Sequence, residues 1–186
     1  MINNKEIWAK TMLIAYRYLA PISRAINKVF DRTVKASFYS GGYYGDRYSA
    51  EEISQKLINL TNKKIDYINL KVIIENALSK MKHQQAKLLI LRYIKEINST
   101  TICNLFNICE RTLFRRLKSA VNQFGQILEA MGYTNEKLEV VYLSDSFIKS
   151  IYKLSADNNT NALRSGVILD EQFYKYIYNV NICGAS

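Results

Sequence analysis

Apolar side chains recur three and four residues apart along the first thirty-five positions. Trp8, Met12, Tyr16 and Leu19 share one face, continued by Ile22, Ile26, Val29 and Phe30. That spacing predicts a helix over 3–35, and Pro21 inside it predicts a kink or break near Leu19–Ala20. The stretch SFYSGGYYGDRYS (37–49) interrupts the pattern with three glycines and predicts a loop. Its Tyr43, Tyr44, Arg47 and Tyr48 either stack on nucleic-acid bases or cover the neighbouring helices. Ser49 with Glu52 three residues later forms a capping box that opens the next helix. Ile53, Leu57, Leu60, Ile65, Ile68, Val72 and Met81 then trace an apolar stripe through roughly thirty residues, about 45 Å if unbroken. A helix with such a stripe needs a cover, either the N-terminal helices or a second copy of the chain.

The segment HQQAKLLILRYIKE (83–96) predicts a further helix that buries Leu88, Leu89, Leu91 and Tyr93. The seventeen residues ICNLFNICERTLFRRLK (102–118) follow it, and their pattern is that of two helices around a tight turn. Ile102 anchors the first helix, and Cys103 is small where the helices cross. Asn107 suits a left-handed turn position, Ile108 plugs the core beneath it, and Cys109 is a weak N-cap. Leu113, Leu117, Val121 and Phe124 form the buried stripe of the second helix. Glu110, Arg111, Phe114, Arg115 and Lys118 fall on the opposite face, flanked by Arg116 and Asn122. Beyond it, Gly132 ends the helix. Phe147, Ile151 and Leu154 predict one short helix, and Phe173, Ile177 and Val180 another capped by Asp170, with ADNNTN (156–161) between them.

The distribution of charge sharpens this picture. The chain of 186 residues carries a net charge of +10, and residues 80–128 hold nine Lys/Arg against Glu96 and Glu110 alone. Residues 1–35 are also basic, while 36–79 balance and 129–186 are slightly acidic. A basic patch around one amphipathic helix suits a polyanion. On such a face Arg can pair bidentately with guanine, an exposed Phe can touch a thymine methyl, and Lys and flanking Arg suit phosphates.

The segment 77–124 resembles region 4 of sigma factors, the part that recognises promoters. The helix ending in the triplet Leu91-Arg92-Tyr93, the run Ile102-Cys103-Asn104-Leu105-Phe106-Asn107-Ile108-Cys109, and Thr112-Leu113, Arg116 and Ala120 carry the resemblance. Residues 1–75 lack the acidic-aromatic pattern of a polymerase-binding, promoter-melting domain. The chain also continues past the segment. The likeness is therefore to region-4-like transcriptional regulators of low-GC Gram-positive bacteria and their phages.

What the resemblance implies, together with the pattern, is an all-α protein. Residues 1–75 are expected to form a helical hairpin or bundle for dimerisation or partner binding, 76–128 a tri-helical helix-turn-helix domain, and 129–186 a helical extension. The expected function is sequence-specific DNA binding in transcription regulation. Arg111, Phe114 and Arg115 are expected in the major groove, and Thr100, Arg116 and Lys118 near phosphates. Thr112 and Asn122 complete the DNA-binding set. Double-stranded DNA is the expected partner, with RNA polymerase and a second copy of the chain as further candidates. A polymerase- or sigma-binding adaptor without DNA binding, and a divergent sigma factor, stay open.

No chemistry is called for. His83 is the single histidine and reads as a capping or surface residue; no glycine-rich phosphate loop is present, so the expectation is no enzyme and no cofactor. His83, Cys103, Cys109 and Cys183 are scattered without the close paired spacing of a zinc site, so no metal is expected; Cys103 and Cys109 read as small buried residues. With no long apolar run and no signal-peptide pattern, the expectation is a cytoplasmic protein away from membranes.

Overall fold

The computed structural model describes residues 4–39 and 49–156, together with Phe173 and Tyr176, and among them there are helices and no strand. Helix α1 (Asn4–Tyr39) is followed by α2 (Ala50–Ser79), α3 (His83–Leu89), which runs on into a π-helical turn (Ile90–Ile94), α4 (Ser99–Phe106), α5 (Glu110–Ala130), α6 (Asn135–Tyr142) and α7 (Ser146–Ala156). The chain is all-helical in every segment described. The predicted loop at 37–49 begins later than expected, because residues 37–39 are still α1; Tyr43, Tyr44, Arg47 and Tyr48 lie outside the described residues.

The first helix is the axis of the molecule. Trp8, Met12, Leu19, Ile22, Ile26 and Val29 are buried as the spacing predicts, but so are Ala9, Leu13, Ala15 and Tyr18. Near its start α1 is enclosed on most sides, because α2, α5, α6 and α7 all pack against it. Of the kink or break expected at Pro21, the break does not occur: α1 runs as helix straight through it. Proline leaves the Arg17 carbonyl without its helical donor, yet Leu19 and Ile22 on either side are almost wholly buried, and that tertiary packing holds the helix. Buried hydroxyls on α1 satisfy themselves within the helix, Thr11 donating to the Ile7 carbonyl at 2.8 Å and Thr33 to Val29 at 2.9 Å.

Helix α2 starts as the capping box predicts. The Glu52 amide donates to Ser49 Oγ at 3.1 Å and the Ser49 amide to Glu52 Oε2 at 2.7 Å. Its buried face differs from the predicted stripe. Tyr67, Leu70, Ile73, Ile74 and Ala77 face the core with Met81, whereas Ile65, Ile68 and Val72 are exposed. Ile53, Leu57 and Leu60 are half-buried.

Helix α5 matches its predicted face in full, with Leu113, Leu117, Val121 and Phe124 buried and Ala120 and Leu128 added. Gly125 allows α1 to approach closely, since a Cβ there would lie 2.8 Å from Lys5 Cγ. Gly132 stops the helix in the left-handed region at φ 86°, which favours glycine, and the Tyr133 amide reaches back to the Leu128 carbonyl at 2.9 Å.

Helix α7 appears where Phe147 and Ile151 predict it, both buried, with Leu154 half-buried; α6 is an element the apolar spacing did not suggest. Phe173 is helical as expected, and its ring lies 5.0 Å from Tyr18; Asp170, Ile177 and Val180 lie outside the described residues. Asp145 ties this end together. Its Oδ1 accepts the amides of Phe147 and Ile148 at 2.9 and 3.0 Å, which caps α7, while Oδ2 accepts the hydroxyls of Tyr67 at 2.5 Å and Tyr176 at 3.1 Å. The two tyrosine hydroxyls also bond to each other, and Lys63 Nζ lies 3.6 Å from Asp145 Oδ2. Side chains from α1 through α7 belong to one hydrophobic cluster. Among the described residues no helix is long and apolar enough to cross a membrane.

Candidate nucleic-acid interface

The site is the outer face of α5 and the elements that fix its direction. Beneath it, Leu88 and Leu89 of α3 are buried, and Leu91 and Tyr93 of the π turn pack half-buried against the same core. Burial pushes the Tyr93 hydroxyl up to about 12, opposed by the positive charge of Arg92 and helped by Glu6. Arg92 Nη1 donates to the Ile97 carbonyl at 3.2 Å and so ties the turn to the lead-in of α4. Glu96 sits between them in the left-handed region at φ 53°, unfavourable for a residue with a Cβ, and its carboxylate pairs with Arg17 of α1. Asn98 then caps α4, accepting the Thr101 amide at 2.7 Å.

The connection from α4 to α5 follows the local chemistry of its residues. Asn107 takes the left-handed conformation, φ 50° and ψ 51°. The Ile108 amide donates back to the Cys103 carbonyl at 3.0 Å and the Asn107 amide to Asn104 at 3.3 Å, closing the end of α4. Ile102 is fully buried and Cys103 and Ile108 are half-buried beneath the crossing. Cys109 corrects an expectation. It is exposed, because its extended backbone sits ahead of α5 with the side chain outside the core. Its sulfur provides no cap to the helix backbone and instead lies 3.2 Å from Thr112 Oγ1. Hydrogen bonding from the Thr112 hydroxyl lowers the thiol's pKa from the usual value.

From there α5 presents its polar side. Arg111, Arg115, Lys118 and Asn122 are exposed, and with Phe114, 39% exposed, they recur at three- and four-residue spacing along one stripe. Among the described residues none of Arg111, Arg115, Arg116 and Lys118 forms an ion pair with an acidic side chain; the ion pairs lie elsewhere, as between Lys5 and Glu129. The cations are therefore directed to solvent. Thr112 is half-buried and engaged with Cys109, to one side of the stripe. Arg116 is exposed on the other flank, where it lines a groove of about 460 Å³ with Lys82, His83, Gln85, Phe106 and Ser119. Thr100 is exposed in the first turn of α4.

Two features of this surface escaped the pattern. Leu105 on α4 is 59% exposed, an apolar side chain beside a cationic face. Its signal was that α4 holds more apolar residues than one short face can bury. The basic residues Lys82 and Lys87 of the α3 region are also exposed and extend the positive surface past α5. Among the described residues no three His, Cys, Asp or Glu side chains gather to hold a metal. No protein-family model, curated protein or solved structure matches the chain.

Proposed function

We propose that the protein is a sequence-specific DNA-binding transcriptional regulator, with residues 76–128 acting as a helix-turn-helix like region 4 of sigma factors. One observation carries this reading: α5 buries its apolar stripe completely and holds Arg111, Arg115 and Lys118 outward without acidic partners among the described residues. Directed, unneutralised guanidinium groups on a rigid helix suit bidentate contact with a base edge. In this reading Arg111, Phe114 and Arg115 meet the major groove, with Thr112 at the start of the helix and Asn122 at its far end. Arg116, Lys118 and Thr100 meet phosphates on either side. The exposed Leu105 favours a second reading, in which the same scaffold binds RNA polymerase or a sigma factor as an adaptor.

Binding to an unrelated duplex at 50 and 200 mM salt separates the two. Two phosphate contacts from Arg116 and Lys118 give a logarithmic slope of about −1.8, or roughly a tenfold loss of affinity across that range. Absence of binding at the lower salt would contradict the DNA reading and favour the adaptor.

A further inference from the structure

Helix α2 carries two apolar faces, and among the described residues only one of them is packed into the core. The core side is built by Tyr67, Leu70, Ile74 and Ala77. Roughly 180° around the helix, at 100° per residue, a second series runs Ile58, Thr61, Ile65, Ile68 and Val72. Ile58, Ile65, Ile68 and Val72 remain between 44% and 52% exposed. Their spacing alternates three and four, a seven-residue repeat with Ile58, Ile65 and Val72 at the first position and Thr61 and Ile68 at the fourth. That repeat is the seam of a coiled coil.

We infer that a second copy of this chain covers this seam, pairing α2 with α2 in parallel around a two-fold axis. The flanking residues select both partner and direction. Lys64 and Lys71 lie on one side of the seam, Asn62, Asn69 and Asn76 on the other. In a parallel pair each lysine faces an asparagine of the other chain, whereas an antiparallel pair sets lysine against lysine. At its C-terminal end the seam continues into an apolar groove of about 520 Å³, lined by Asn69, Val72, Val140 and Val141. Val140 and Val141 are themselves exposed. Together the six exposed apolar residues offer on the order of 600 Å² per chain, the upper end of what a monomer displays. With the flanking Lys and Asn they approach the roughly 800 Å² per partner of a standard interface. The inference stands whether or not the chain binds DNA.

Sedimentation velocity of the full chain at tens of micromolar tests it, with a mass twice that of one chain as the expected result. Ile65→Glu with Ile68→Glu, both on the solvent face, should halve that mass while far-UV circular dichroism stays unchanged and Tm, no longer raised by association, becomes independent of protein concentration. A monomeric natural chain, or a double variant that is folded and still dimeric, overturns the inference. Ile58→Cys adds a test independent of those substitutions, since position 58 meets its own copy only in the parallel register. Oxidation should cross-link that variant well above the background given by the natural cysteines, and no gain in cross-linking overturns the parallel arrangement.

Discussion

Replacing Asp145 by Ala is expected to destabilise the protein by about 3 kcal/mol, the cost of a lost helix cap and of two buried hydroxyls deprived of an acceptor. The carboxylate accepts the amides of Phe147 and Ile148 at the start of α7 and the hydroxyls of Tyr67 and Tyr176, which are both buried. In Asp145→Ala the tyrosines retain only each other, and α7 loses its cap. For a chain of this length that corresponds to a fall in Tm of about 10 °C. Asp145→Asn keeps one oxygen for the Phe147 and Ile148 amides and sets an NH2 group against the tyrosine hydroxyls, whose oxygens can accept from it, and the Lys63 contact it weakens is partly exposed and worth little. Its cost should be about 1 kcal/mol. Urea unfolding at pH 7 ranks the three proteins, and an Ala variant as stable as the Asn variant would contradict the assignment of Asp145 as the tie between α2 and α7.

The same cluster predicts a steep loss of stability in alkali. Burial, the Asp145 charge and their mutual bonding raise the Tyr67 hydroxyl far above its ordinary value of 10, and burial with Asp145 does the same to Tyr176. Burial raises Tyr142 to about 12 as well. A tyrosine whose pKa is raised on folding holds its proton in the native state while the unfolded chain releases it. Its contribution is therefore complete below about pH 10 and is lost as pH climbs beyond. Each such group contributes a slope of about 1.4 kcal/mol per pH unit, so Tyr67 and Tyr176 together remove roughly 4–5 kcal/mol between pH 10 and 12. Urea unfolding at pH 9 and 11.5 measures the difference, and Tyr67→Phe with Tyr176→Phe should flatten it. Equal pH dependence of the natural chain and the double variant would show that these hydroxyls do not titrate as their burial requires.

How much the sequence disclosed differs between α5 and α2, and the reason is physical. α5 has one apolar stripe and one polar stripe, so a single period assigns Leu113, Leu117, Val121 and Phe124 to the core and Arg111, Arg115 and Lys118 to solvent. α2 has two apolar stripes on nearly opposite sides. A single-face reading takes Ile53 and Leu60 from one and Ile65, Ile68 and Val72 from the other, and assigns the wrong set to the core. Turn chemistry was legible where it is local. Asn107 adopts the left-handed conformation its side chain tolerates, and Ser49 with Glu52 builds its capping box. It was illegible where a distant contact decides, as at Glu96, whose left-handed backbone goes with an ion pair to Arg17 nearly eighty residues earlier. Pro21 failed as a breaker for a similar reason, since the burial around it is supplied by other helices. Cys109 was misread because a small residue next to a turn suits both core and surface, and only the direction of its backbone decides.

The proposed DNA recognition depends most on the outward face of α5, and enrichment of bound duplexes from a random pool interrogates it directly. The natural chain should enrich a defined sequence, and Arg115→Ala should lose about 1–3 kcal/mol of discrimination at one base pair while retaining the rest. A pool that stays random, or the same preference kept intact after Arg111 and Arg115 are both replaced by Ala, would contradict it.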